Sequence, residues 1–170
     1  DARSFHAALR AAMRQDPDAI MIGEIRDRET LTAALAAADT GHLVLGTLHT
    51  KSAVKAVDRI LSMAGADNQE LARSSFASVI NLIVAQTLVP KKGGGRLLAY
   101  ELLAGTSAVC SNIAMGQVSQ IPNVMATGRA DGHVLMNATL ADMVRRGVID
   151  RAAAQAATYD RNGLDQELKR

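Results

Sequence analysis

An α/β fold is what this sequence predicts, and three observations predict it. Two short, uninterrupted apolar runs, 19–23 and 43–48, have the length and composition of strands covered on both faces. Each is followed by a stretch with helical spacing, and strand–helix–strand–helix with short links is the rhythm of a parallel sheet with helices on its faces. Finally, the 170 residues are 48% hydrophobic but only 2% aromatic, with 31 alanines, so the core must be aliphatic and its helices closely packed.

The elements follow in order. A first helix is expected at once, capped by Ser4, with Phe5, Leu9 and Met13 on one face at i, i+4 and i+8. Asp16-Pro17 ends it, because a proline ring disfavours the helical conformation in the residue before it. After the 19–23 strand, Asp27 caps a helix that carries Glu29 in its first turn, points Leu31 and Leu35 inward and stops at Gly41. The 43–48 strand leads to a third helix that starts at Ser52, with Ala53, Val57, Ile60, Leu61 and Ala64 in register and Gly65 as its close. A long helix from about Gln69 is expected to line one side with Ala72, Phe76, Val79, Ile80 and Ile83. The stretch AQTLVPKKGGGRLLAYELL then reads as a β-hairpin with a glycine-rich turn and Lys91, Lys92 and Arg96 at its exposed end.

Beyond Gly105 only helical patterns remain: 107–115, 133–146 with Met136, Leu140 and Met143 in register, and a short alanine-rich turn capped by Asp150. The polar tail RNGLDQELKR is expected to fray. The division is therefore 1–105, α/β, and 106–170, a small all-helical subdomain. Since the chain starts without an initiator methionine and enters a helix immediately, it reads as a piece of a longer protein.

Bulk composition excludes more than it selects. Nineteen basic against 17 acidic residues leave a net charge of +2 without long blocks, so neither nucleic acid nor an anionic membrane is expected as a partner. A lone cysteine, Cys110, rules out an intrachain disulfide and reads as a small buried hydrophobe, consistent with the cytoplasm. No apolar run approaches the roughly 18 residues of a membrane span, and no signal-peptide core precedes the first helix.

In an open parallel sheet, ligands bind beyond the carboxyl ends of the strands, and both apolar runs deliver polar groups there. Glu24 follows the first; Thr47 and His49 follow the second. A carboxylate so placed can orient water or hold part of a magnesium ion's water shell, and an imidazole can donate to a phosphate oxygen. Taken singly, a glutamate after a strand is usually a solvated terminus and a histidine usually structural. Taken together, GEIRD and GHLVLGTLHT on successive strand–helix–strand elements favour a joint functional reading. The seven methionines fit core gaps or subunit contacts. The Lys91–Lys92–Gly93–Gly94–Gly95–Arg96 turn could cradle a phosphate, but a solvated turn with glycines at positive φ is the better reading.

The run DPDAIMIGEIRDRETLTAALAAADTGHLVLGTLHTKSAVKAVDRI resembles the Walker B and His-box segment of the type II and type IV secretion ATPases, the superfamily of pilus-retraction, pilus-assembly and conjugation motors. More weakly, the resemblance extends through QTLVPKKGGGR and ELLAGTSAV into the helical end, and it is closest to the retraction branch. It implies the C-terminal portion of a RecA-like ATPase core, parallel strands with flanking helices plus a β-hairpin, followed by the helical subdomain. By position, Gly23 stands where related ATPases carry aspartate and Glu24 would be the catalytic glutamate that positions water on the γ-phosphate. His49 would be the His-box residue near that phosphate, with Gly41, His42 and Thr47 shaping the same nucleotide-binding box. Arg26 and Asp27 complete the signature, and structural pairing and helix capping are expected of them; Asp16 and Asp18 are turn residues. ATP and Mg2+ are the implied cofactors, with no dedicated protein metal site. A homo-oligomer, a hexamer by resemblance, is implied at the cytoplasmic face of the inner membrane, bound to integral platform proteins of a pilus or secretion system.

The departures are specific. No G-x-x-x-x-G-K-[ST] occurs in the chain, GRADGH does not replace it, and the family's acidic Asp-box is also absent, so these 170 residues alone are expected to bind ATP weakly or not at all. AVCSNIAMGQ stands where the retraction branch carries a motif of the form AIRNLIRE, and loses both arginines and the glutamate, which leaves a secretion-like or conjugation-like motor equally compatible. Two other readings are a non-catalytic assembly module that packs against a partner ATPase, and an unrelated α/β nucleotide binder. A phosphate loop encoded roughly 70 residues before Glu24 separates the motor from the module; ring formation with ATP hydrolysis separates it from the binder.

Overall fold

The alternation of buried and exposed residues along the first strand already shows how the fold departs from expectation. In the computed structural model, which describes residues 5–169, β1 (Ala19–Ile22) and β2 (Leu43–Gly46) pair in parallel, with Ala19 opposite Leu43 and Ile22 opposite Gly46. Ile20 and Ile22 are buried against Ala34 and Ala37 of α2 (Arg28–Asp39), joined by Met13 of α1 (Phe5–Met13), Ile25 and Val44. Met21, Leu43 and Leu45 are 74%, 50% and 52% exposed, so among the described residues this two-stranded sheet is covered on one face. The expected cover on the second face is not supplied by the described residues, which leave it as open apolar surface. The expected cap at Ser4 and the inward placement of Phe5 and Leu9 lie outside the described residues and side chains.

Contacts divide the chain into two compact units, the first comprising the described residues up to His49 with Ala56–Ile80 and Ser107–Val118, the second Thr50–Lys55, Asn81–Thr106 and the residues from Ser119 onward. In the first unit, Asp27 caps α2, its carboxylate accepting from the Thr30 amide at 2.8 Å. Val57, Ile60 and Leu61 of α3 (Ala53–Met63) are buried, and Ala72 and Phe76 of α4 (Gln69–Val79) pack beside α2 and α5 (Ser107–Ala114). Here α4 is shorter than expected: Ile80 is already extended, and Ile83 sits in β3 (Leu82–Pro90) instead of on the helix. Helical and strand spacing cannot be told apart over SVINLIV, where apolar residues satisfy both periods.

In the second unit, β3 and β4 (Arg96–Ala104) form an antiparallel hairpin from Leu82↔Ala104 to Pro90↔Arg96. Its turn takes Gly93, Gly94 and Gly95 through φ of 83°, 102° and 79°, a run that only glycine adopts without strain. Lys92 is tied down by an ion pair to Asp150 at 3.0 Å. Val89 and Ala99 of the hairpin share a core with Met136, Leu140 and Ala141 of α7 (Met136–Arg145), Ala154 of α8 (Arg151–Ala157) and Leu164 of α9 (Arg161–Lys169).

Three helical expectations change here. The 133–146 helix begins at Met136, because Val134 instead exchanges both backbone hydrogen bonds with Leu102, and buried His133 accepts the Ala104 amide at Nδ1 (3.2 Å). An unexpected helix, α6 (Ile121–Thr127), has Pro122 in its first turn and buries Ile121 and Met125. The tail does not fray: α9 buries Leu164 and pairs Glu167 with Arg129 at 2.8 Å. Cys110 is half-buried on α5.

Candidate functional site

Parallel pairing puts the carboxyl ends of β1 and β2 side by side, and the bonds beyond the strands extend that alignment. The Ile25 amide donates to the Thr47 carbonyl at 3.0 Å, and the Thr47 hydroxyl donates to the Gly23 carbonyl. Gly46 has no Cβ where one would lie 2.7 Å from the Ile25 side chain, which lets Ile25 settle over the strand end. Glu24 and His49 thereby face each other, with Oε1 of Glu24 3.2 Å from Nε2 of His49. The other carboxylate oxygen of Glu24 pairs with the guanidinium of Arg26.

The environment favours a charged Glu24. Its side chain is 23% exposed and that of His49 80%, so the carboxylate is the sheltered partner. The hydrogen bond from Arg26 holds the Glu24 carboxyl below its ordinary value, against the opposing effect of partial burial, with His49 adding to the lowering. Arg26 is in turn raised by Glu24. Thus Arg26 pairs as expected, but its partner is the candidate catalytic carboxylate itself.

Glu24, Arg26 and His49, with Ile25, Leu48 and Arg59, line a cavity of about 330 Å³. That is near the lower bound of ligand clefts, about 300 Å³, and suits a phosphoryl group with its waters better than a whole nucleotide. A hollow of similar volume, about 320 Å³, lies against Leu31, Leu35, Leu71 and Ala72 and brings no carboxylate and imidazole together.

The structure separates the other candidate residues. Thr47 and Gly23 sit at the cavity end of the sheet, where Gly23 supplies a carbonyl and its missing Cβ would meet nothing within 4 Å. Gly41 and His42 lie at the opposite end of β2, about 15 Å back along the strand at a rise of roughly 3.3 Å per residue. There His42 Nδ1 lies 3.0 Å from the Ala37 carbonyl at the end of α2, and Gly41 turns through φ 97°. Two residues of the site were not read from the sequence: Gly46, and Arg59 on the face of α3 opposite its apolar positions. The only sequence signal for Arg59 is that outward register.

A family model described as type II/IV secretion system protein matches residues 2–164. The chain belongs to that family. It is 41% identical over 155 residues to the type IV pilus retractation ATPase PilT of Pseudomonas aeruginosa, covering 91% of this chain and 45% of that protein. The crystal structure of the pilus retraction motor PilT and bound ADP superposes with a TM-score of 0.89 at 41% identity, covering 98% of this chain and 47% of that one. The Legionella pneumophila ATPase DotB gives 0.79 at 27% identity, over 91% of this chain and 42% of that one. The chain therefore spans just under half the length of these relatives. The mixed α/β architecture expected from the sequence, a parallel pair with flanking helices, a hairpin and further helices, is the one these solved structures share with it.

Proposed function

We propose that this chain works within a motor that hydrolyses ATP to power type IV pilus dynamics, type II/IV secretion or conjugative transfer. One observation carries the reading: adjacent parallel strand ends present Glu24 and His49 to one cavity, 3.2 Å apart. Family membership supports it, as does the similarity to a retraction motor crystallised with ADP.

The cavity's chemistry fits the terminal phosphoryl end of a nucleotide, with one carboxylate among three nitrogen-bearing side chains. ATP supplies the phosphoryl group and the free energy. Glu24 accepts a hydrogen bond from the attacking water and aims its lone pair, and His49 donates from the phosphate side, so the acceleration comes from positioning and charge stabilisation. Since Arg26 and His49 already occupy both oxygens of Glu24, water must share or displace one of them. Among the described residues no group of three or more His, Cys, Asp or Glu could hold a metal ion. Mg2+ is implied by the resemblance to these ATPases; were it bound with the nucleotide, Glu24 would be placed to accept a hydrogen bond from one of its waters. Gly23 and Thr47 shape the strand end beneath.

By resemblance, subunits assemble into a hexamer at the cytoplasmic face of the inner membrane, held there by platform proteins. No helix among the described residues is long and apolar enough to cross a membrane. The test is Glu24→Gln in the intact gene product: ATP turnover is expected to fall at least a hundredfold while ATP binding persists. Turnover that survives the substitution removes Glu24 from this role.

A further inference from the structure

We propose that Arg59 is the cation that contacts the terminal phosphoryl group in the Glu24–His49 cavity. The inference rests on the ATPase reading above and adds a residue to the same site. Its basis is charge and placement. The cavity has three basic side chains, Arg26, His49 and Arg59, around one carboxylate, Glu24. Arg26 and His49 are both engaged by that carboxylate. Arg59 alone of the three has no ion-pair or hydrogen-bond partner for its side chain among the described residues.

Its own helix offers it none. Positions three and four residues away are Lys55, Ala56, Ser62 and Met63, without a carboxylate, so the pairing that usually quiets a surface arginine on a helix is missing. Elsewhere among the described residues Arg129, Arg146 and Arg151 each pair with an acid, while Arg28, Arg96 and Arg161 make no ion pair; what sets Arg59 apart from those three is that it borders the Glu24–His49 cavity. The backbone that carries Arg59 is nevertheless well fixed, because Val57, Ile60 and Leu61 around it are 0%, 6% and 6% exposed. An exposed, unpaired guanidinium on a rigid helix, opening into a cavity whose carboxylate is already neutralised, is suited to a dianionic phosphoryl group. The planar fork can bond two of its oxygens. A γ-phosphoryl has those oxygens and a nucleoside diphosphate lacks them at that point, so Arg59 distinguishes ATP from ADP.

The experiment compares ATPγS and ADP binding by calorimetry on the intact gene product, wild type and Arg59→Ala, with unfolding midpoints measured alongside. Alanine is expected to weaken ATPγS at least tenfold, the loss of one charge-assisted contact, and to leave ADP within about twofold. If the alanine variant does not fold, Arg59→Gln, which keeps the stem, is expected to give the same selective loss. Unchanged ATPγS affinity, or an equal loss for both nucleotides, overturns the proposal. Glu24→Gln in parallel separates the two readings. Persistent turnover there defeats the ATPase assignment of Glu24, whereas lost turnover with an Arg59 variant that binds ATPγS normally defeats only the role of Arg59.

Discussion

Replacing Arg26 by glutamine removes the strongest influence on Glu24, and the direction of the result follows from charge alone. With its guanidinium partner, the carboxyl of Glu24 sits below its ordinary 4.5. Without it, protonation is easier and the midpoint rises, which a carbon-13 titration of the Glu24 carboxyl measures; a midpoint that stays put means the pair does not persist in solution. The same sign governs stability. A depressed folded value means that the pair stabilises the fold above the unfolded value, and that this contribution is lost as pH falls through the folded one. Glu24 and His49 stood out in the sequence because each lies within three residues of the end of an apolar strand, and a strand's end is a local property. Arg59 was not, since nothing in its neighbourhood of the chain says which cavity the outer face of α3 borders.

At the scale of elements, one buried carboxylate links a strand to the starts of two helices. Glu101 on β4, 0% exposed, accepts from the Ala53 amide at 2.8 Å and the Met136 amide at 3.4 Å, the first residues of α3 and α7, and also from the hydroxyl of Tyr159. Helix-initial amides have no partner within their own helix, so the carboxylate satisfies donors that burial would otherwise strand. The phenol of Tyr159 is pushed far up, by burial first and by Glu101 second, and stays a neutral donor. Glu101→Ala is expected to cost about 3 kcal/mol, read from urea unfolding, because several buried donors lose their acceptor together. A loss below about 1 kcal/mol shows that water replaces the carboxylate. Element type was widely legible: the caps at Asp27 and Ser52, the stop near Gly41 and the glycine hairpin follow from local chemistry. The α4–β3 junction, α6 and the ordering of α9 were not. In α9 two leucines, buried Leu164 and partly buried Leu168, find the core of the second unit, and that opportunity is invisible within its own ten residues.

Over the whole molecule, each unit leaves apolar sheet surface open to solvent among the described residues. The first exposes Met21, Leu43 and Leu45; the second exposes Leu82, Val84, Leu88, Leu98 and Tyr100 on one face of the hairpin. Patches of this kind belong against another surface. The 170-residue chain expressed by itself is therefore expected to bind the dye ANS and to scatter light increasingly with concentration. Leu43→Thr with Leu45→Thr should lower both signals; unchanged dye binding would locate the sticky surface elsewhere.

By itself, the sequence determined which segments are strands and helices, where most of them start and stop, and that a glutamate and a histidine follow neighbouring strands. These depend on period, caps and turn chemistry, which act over a few residues. Only the tertiary structure decided that Arg26 holds Glu24, that Arg59 borders their cavity, that His42 lies at the far end of its strand, and that a polar tail is anchored by Leu164. Each of those is a meeting of segments distant along the chain, and burial and charge pairing between such segments leave no periodic trace in either one.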